Sequence, residues 1–178
     1  LLEGEDVNSV NKSNPILPDL DSNIFFGNSL INSSEIIDNK TLEIINPFDF
    51  QDLKFDVIVG NPPYLKVEDM KNITPIELPI YKDNFKSAYK QFDKYFLFIE
   101  QGLNLLKEEG VLGYIVPSKF TKLGSGKNLR KLLAKNGNLK RIVSFGANQV
   151  FKDKTTYTCL LFTTKTSNET FTFTEVNN

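Results

Sequence analysis

The apolar positions of this chain fall into short clusters that alternate between contiguous runs and helical spacings of three or four. Ile24-Phe25-Phe26, stopped by Gly27, and Phe55-Asp56-Val57-Ile58-Val59, stopped by Gly60, are aromatic or β-branched runs closed by a turn residue. Both predict strands. Phe92, Tyr95, Phe96, Ile99, Leu103 and Leu106 recur at helical spacing with Gly110 behind them, which predicts an amphipathic helix and its C-terminal stop. Residues 111–116 form an apolar strand closed by Pro117, and residues 123–135 place Leu129, Leu132 and Leu133 on one helical face. Residues 139–145 and 157–162 are two more strand-like runs with no helix between them, so the final strand is expected to return antiparallel as a hairpin partner. The order strand, helix, strand, helix, strand predicts an α/β fold with a mostly parallel sheet and an antiparallel final strand. Residues 1–22, rich in Asn, Ser, Asp and Pro, read as linker or poorly ordered chain, and residues 166–178 as a tail or the start of a next segment.

Composition narrows the chemistry. With 178 residues and 40% hydrophobic content, the chain has material for one ordinary core and is expected to be one domain or part of one. It contains no histidine, which excludes Ser-His-Asp and Cys-His catalysis and histidine-ligated zinc. Its one cysteine, Cys159, makes neither an internal disulfide nor a cysteine zinc site. No metal is expected, and catalysis must draw on carboxylates, amides, lysines, tyrosines or a bound cofactor. The acidic, polar start lacks the basic flank and apolar core of a signal peptide, and the most apolar stretch, residues 95–106, is interrupted by Glu100, Gln101 and Asn104. A cytoplasmic protein without a membrane partner is therefore expected.

The formal net charge of −1 conceals a segregation. Residues 1–109 carry 19 acidic and 10 basic side chains, whereas residues 110–152 carry 9 basic and none acidic. A basic stretch of that length beside an acidic body suits phosphates, and hence nucleic acid.

The sharpest local feature is Asn61-Pro62-Pro63-Tyr64, directly behind the predicted strand at residues 55–59. In an open α/β sheet, ligands gather beyond the carboxyl ends of strands. A residue before proline is held extended, which constrains Asn61 and Pro62 and aims their carbonyls, while neither proline has an N–H. The turn thus offers two stiffly held acceptors, the Asn61 side-chain oxygen and the Pro62 carbonyl, with few competing donors. Two acceptors match the two protons of an NH₂ group conjugated to a ring or carbonyl. Holding both favours the pyramidal, nucleophilic nitrogen that attacks an electrophilic methyl. Tyr64 adds a face on which a planar base can stack. The bland reading of the same residues is a tight Pro-Pro turn whose tyrosine covers the end of the sheet.

The run from Phe55 through Tyr64, the helix segment Phe98-Ile99-Glu100-Gln101-Gly102-Leu103 and the strand Gly110-Val111-Leu112-Gly113-Tyr114-Ile115-Val116-Pro117-Ser118-Lys119-Phe120 carry a resemblance, which extends to Leu129-Arg130-Lys131-Leu132-Leu133. Together they resemble the S-adenosylmethionine-dependent amino-methyltransferases, specifically the adenine-N6 DNA methyltransferases of restriction-modification systems. The resemblance implies that residues 23–165 are the C-terminal portion of a catalytic domain with a Rossmann-like fold. It also implies S-adenosylmethionine as methyl donor and an adenine rotated out of double-stranded DNA. On that reading Asn61, Pro62, Pro63 and Tyr64 form the catalytic turn. Asn61 and Pro62 hold the amino group, Tyr64 stacks on the base, and Phe151 closes its other face, although Lys152 stands where the family often has proline. Ile24-Phe25-Phe26-Gly27-Asn28-Ser29-Leu30 is similar to the family's third motif, with Asn28 in place of its cofactor-contacting Asp. Asn28 and Asn61 are the implied cofactor contacts, a plain turn being the other reading of Asn28.

The glycine-rich first motif and the acidic ribose-binding residue of that family have no counterpart in residues 1–22, so the N-terminal strands are expected to be missing. The isolated chain is expected to bind cofactor weakly and turn over little. The strands at Ile24 and Phe55 should then pair directly or leave an open edge that invites self-association. Gly124-Ser125-Gly126-Lys127 lacks the spacing of a phosphate-binding loop; Ser125 is expected to cap the following helix, with Lys127 and Arg130 offered to DNA phosphates. Glutamine and RNA methyltransferases carry similar turns and keep the same fold and donor. A non-catalytic DNA-binding fragment is a third reading.

Overall fold

The computed structural model describes residues 23–49, 53–146 and 157–176. The linker expected at residues 1–22 and the base-closing Phe151 lie outside the described residues.

Five strands form one sheet: β1 (Phe55–Gly60), β2 (Leu106–Pro117), β3 (Leu139–Ser144), β4 (Thr158–Thr164) and β5 (Thr172–Glu175), in the order β1-β2-β4-β3-β5. The helices are α1 (Asn39–Ile45), α2 (Val67–Ile73), α3 (Glu77–Asn84), α4 (Lys94–Leu105) and α5 (Lys127–Lys135). β1 pairs parallel with β2, and β3 parallel with β5, whereas β4 runs antiparallel to both β2 and β3. The α/β class and the antiparallel return of β4 follow the sequence pattern, but the sheet is evenly mixed. The β3–β4 hairpin folds back so that β4 lies inside the sheet, and β5, in the stretch expected to be a tail, supplies the outer edge.

The core lies where α4 crosses β2. Tyr95, Phe96, Leu97, Ile99 and Leu103 are buried from α4, against Leu112 and Val116 of β2 and Cys159 and Leu161 of β4. Gly102 permits this approach, since a Cβ there would stand 2.3 Å from Leu112 Cδ1. The helix expected to stop at Gly110 ends at Leu105, and β2 starts at once. Gly110 instead sits in a bulge, where the pairing jumps from Phe55–Leu106 to Val57–Val111.

Two expectations are corrected. Ile24-Phe25-Phe26 does not form a strand: all three side chains are exposed and among the described residues no strand pairs with them, the local order coming from a bridge of Asn28 to Pro47. Ser125 does not cap α5; a 3-10 turn, Gly124–Gly126, leads into Lys127 and the N-cap is Gly126, without a side-chain hydrogen bond. Gly126 packs on the Phe120 backbone, 2.2 Å from a would-be Cβ to Phe120 O, so close packing rather than capping explains the glycine. Of the two outcomes expected for β1, the open edge is the one formed: among the described residues it pairs with β2 alone, and Val57 and Val59 are 63% and 76% exposed. Among the described residues no helix is long and apolar enough to cross a membrane.

Candidate active site

β1 and β2 run parallel from Val57 opposite Val111 to Gly60 opposite Tyr114, so both release the chain at the same end of the sheet. Asn61-Pro62-Pro63-Tyr64 turns there, with Pro62 buried, Asn61 and Pro63 exposed and Tyr64 half-buried. Asn61 and Pro63 thus face outward while Pro62 is buried, and among the described residues no hydrogen bond reaches the Pro62 carbonyl. The tyrosine is braced at both ends. Its ring stands edge-on to Tyr95, with centroids 6.0 Å apart, and the Tyr95 hydroxyl donates to Pro117 O at 3.1 Å. The Tyr64 hydroxyl lies 2.7 Å from Asn61 Oδ1 and 3.0 Å from Ile115 O.

That contact corrects the expectation of few competing donors, because the turn supplies one itself. A phenol has one proton, so the Tyr64 hydroxyl donates to Asn61 or to Ile115, and either choice leaves the Asn61 oxygen with a lone pair to spare. Partial burial raises the Tyr64 pKa above its ordinary value, with the nearby Cys159 a smaller cause, so the phenol keeps its proton.

A cleft of about 550 Å³ opens beside the turn, lined by Phe26, Asn28, Pro63, Glu77, Lys94 and Phe98 among others. Asn28 lines it, and its amide oxygen accepts the Leu30 N–H at 2.9 Å, the bond of a local turn. Its Nδ2 donates to the Tyr81 hydroxyl at 3.4 Å. Tyr81 donates to Glu77 Oε2 at 2.7 Å, and Lys94 Nζ meets the same oxygen at 3.0 Å. A second cleft of about 400 Å³ is mostly apolar and runs along the open edge, lined by Val57, Val59, Phe98 and Tyr114 among others.

Elsewhere on this end of the sheet, Lys119 Nζ pairs at 2.5 Å with Asp93 Oδ2, a buried carboxylate at the N-terminus of α4 whose Oδ1 has no hydrogen-bond partner. Lys127 is exposed. Arg130 is not simply displayed to solvent: its Nη1 donates to Phe120 O at 2.5 Å and Leu123 O at 2.8 Å, bracing the loop before α5. Burial pushes the Cys159 thiol up to about 12, which rules it out as a nucleophile at neutral pH.

Residues 5–151 match the family of the Eco57I restriction-modification methylases. The chain belongs to this family. It is 57% identical over 176 residues to the Type II restriction enzyme and methyltransferase RM.Eco57I of Escherichia coli, covering 99% of this chain and 18% of that protein. It is 34% identical over 116 residues to the Type II methyltransferase M.BstVI of Geobacillus stearothermophilus, covering 65% of this chain and 20% of that one. The chain thus spans about a fifth of the length of the curated relatives it matches. In fold it is similar to a Listeria monocytogenes protein assigned to the class I S-adenosylmethionine-dependent methyltransferases, with a TM-score of 0.56 at 20% identity over 74% of this chain and 39% of that one.

In this Eco57I-family chain, sequence reasoning singled out the turn at residues 61–64 but not the hydrogen-bonded cluster of Glu77, Tyr81 and Lys94 beside the cleft. Glu77 and Tyr81 are four apart and share a face of α3, a signal that was present; the Lys94 that joins them comes from α4.

Proposed function

We propose that this chain forms the target-base side of an adenine-specific DNA methyltransferase in a restriction-modification system. The observation that carries this reading is the exposed Asn61, its side-chain oxygen 2.7 Å from the Tyr64 hydroxyl, next to a buried Pro62 at the carboxyl end of β1. A flipped adenine in duplex DNA would stack on Tyr64 and give its two N6 protons to Asn61 Oδ1 and the Pro62 carbonyl. When the amino group engages Asn61, the Tyr64 proton has Ile115 O as its alternative acceptor, so substrate binding leaves no buried donor stranded. The basic, acid-free sequence of residues 110–152, which includes the exposed Lys127, would supply contacts to the phosphates.

The cofactor of such a reaction is S-adenosylmethionine, which supplies an electrophilic methyl group. The cleft beside Asn28 and Pro63 fits its adenosyl part, having the apolar faces of Phe26 and Phe98 for a planar base and the Glu77 carboxylate for a hydrogen-bond donor. Among the described residues no glycine-rich turn lines the cleft for the methionine part, so the isolated chain should bind cofactor weakly and turn over little. The open β1 edge would let the isolated chain self-associate.

The test uses a complete methyltransferase containing this chain, a methyl-labelled donor, and separate DNA, RNA and protein acceptors. Label in N6-methyladenine of duplex DNA, falling about 10²–10³-fold with Asn61→Ala, is expected. Label in RNA or in protein glutamine, or DNA binding without transfer, would replace this reading with one of its rivals.

A further inference from the structure

The polar group at the mouth of the Asn28 cleft has a fixed direction. Leu30 N–H occupies Asn28 Oδ1, which settles the orientation of the amide and turns Nδ2 toward the Tyr81 hydroxyl. Tyr81, fully buried, then spends its single proton on Glu77 Oε2. Lys94 Nζ bonds to that same oxygen and lies 5.1 Å from the centroid of the Tyr81 ring. Glu77 and Lys94 are mostly buried, with side chains 17% and 14% exposed, yet both line the cleft. Three donors and acceptors in series, from Asn28 through Tyr81 to Glu77, leave Glu77 Oε1 without a hydrogen bond among the described residues.

We propose that Glu77 is the residue of this cleft that reads an amino-substituted purine, its Oε1 accepting a hydrogen bond from the ring's exocyclic amine, with Tyr81 and Lys94 as positioning residues. The proposal rests on the adenosyl-binding reading given above. Lys94 decides which amine is read. A cationic α-amino group would be repelled by the adjacent ammonium, whereas a neutral ring amine would not. The relay also explains asparagine at position 28. A carboxylate there would confront a phenol whose only proton is already committed to Glu77, placing two negative groups on either side of one hydroxyl.

Substituting Glu77→Gln reverses the polarity of the reading group. Its one carbonyl oxygen must serve Tyr81 and Lys94, which turns the amide NH₂ toward the ligand, donor against donor. In a complete methyltransferase containing this chain, calorimetry with 5′-methylthioadenosine and its 6-oxo counterpart, 5′-methylthioinosine, measures the preference directly. The unaltered enzyme is expected to favour the 6-amino ligand. Glu77→Gln should weaken that ligand about tenfold, equivalent to about 1.4 kcal/mol, and leave or improve the 6-oxo ligand. Asn28→Asp alone should weaken both ligands and lower the melting temperature, and Asn28→Asp with Glu77→Gln should recover most of the loss, since Tyr81 then faces one carboxylate again. An unchanged 6-amino to 6-oxo ratio in Glu77→Gln would overturn the reading role, and strictly additive losses in the double variant would overturn the relay. Failure of the unaltered enzyme to bind either nucleoside or S-adenosylmethionine would instead remove the adenosyl-binding reading, and this inference with it.

Discussion

Tyr64 separates the contribution of its ring from that of its hydroxyl. Tyr64→Phe removes one hydroxyl that is shared between Asn61 Oδ1 and Ile115 O, in a half-buried position. The lost hydrogen bond is worth about 1 kcal/mol, and less where water can replace it, so stability and turnover should each change by no more than about fivefold in the corresponding constant. Removing the hydroxyl also withdraws the donor that competes for the Asn61 oxygen, so DNA affinity should hold or rise. Tyr64→Ala removes the stacking face, about 1–3 kcal/mol of base contact, and the edge-on contact with Tyr95, about 0.5–1.5 kcal/mol. In the complete enzyme, 2-aminopurine placed at the target base reports extrusion by fluorescence, and steady-state methylation reports kcat and KM. The expected pattern is a near-normal Tyr64→Phe and a Tyr64→Ala that extrudes the base but fails to hold it, with affinity weaker by about ten- to a hundredfold. If Tyr64→Phe is as damaging as Tyr64→Ala, the hydroxyl proton takes part in the chemistry and the stacking account is wrong.

Reversing the exposed Lys127 to Glu should flatten the salt dependence of DNA binding by about one unit in log–log slope while cofactor binding is unaffected; an unchanged slope would remove α5 from the DNA surface. Arg130→Glu should behave differently, lowering the melting temperature because the carbonyls of Phe120 and Leu123 lose their shared donor, and a purely electrostatic phenotype would contradict that bracing role. On the isolated chain, Val57→Lys at the open β1 edge should suppress concentration-dependent association in sedimentation, and an edge that stays monomeric without the substitution would dismiss the idea. The Cys159 thiol ionises near 9 when exposed and at about 12 when folded, so folding carries its full contribution below pH 9 and loses it as pH rises toward 12. Cys159→Ser should flatten that alkaline limb of a stability–pH profile.

How much of this was legible in the sequence depended on whether a feature was local. The turn at residues 61–64 could be read because proline stereochemistry acts on adjacent residues, and α4 could be read because its apolar period is long and regular. The strand expected at residues 24–26 failed for the opposite reason: three apolar side chains do not make a strand without a neighbour to pair with, and Phe26 is 94% exposed. Gly110 was recognised as punctuation and Gly126 was not singled out, yet what each permits is a bulge against β1 and a backbone contact with Phe120, and the bulge depends on an element distant in sequence. The same distinction separates the two parts of the proposed site. Asn61 and Tyr64 meet within one turn, whereas the Glu77 cluster draws Asn28, Tyr81 and Lys94 from three separate segments, and no single window of the chain contains it. Asparagine at position 28 looks like a loss of function when compared with an aspartate motif. It looks like a requirement once the direction of the Tyr81 proton is known, because a hydroxyl that donates to Glu77 has to be met by a donor on its other side.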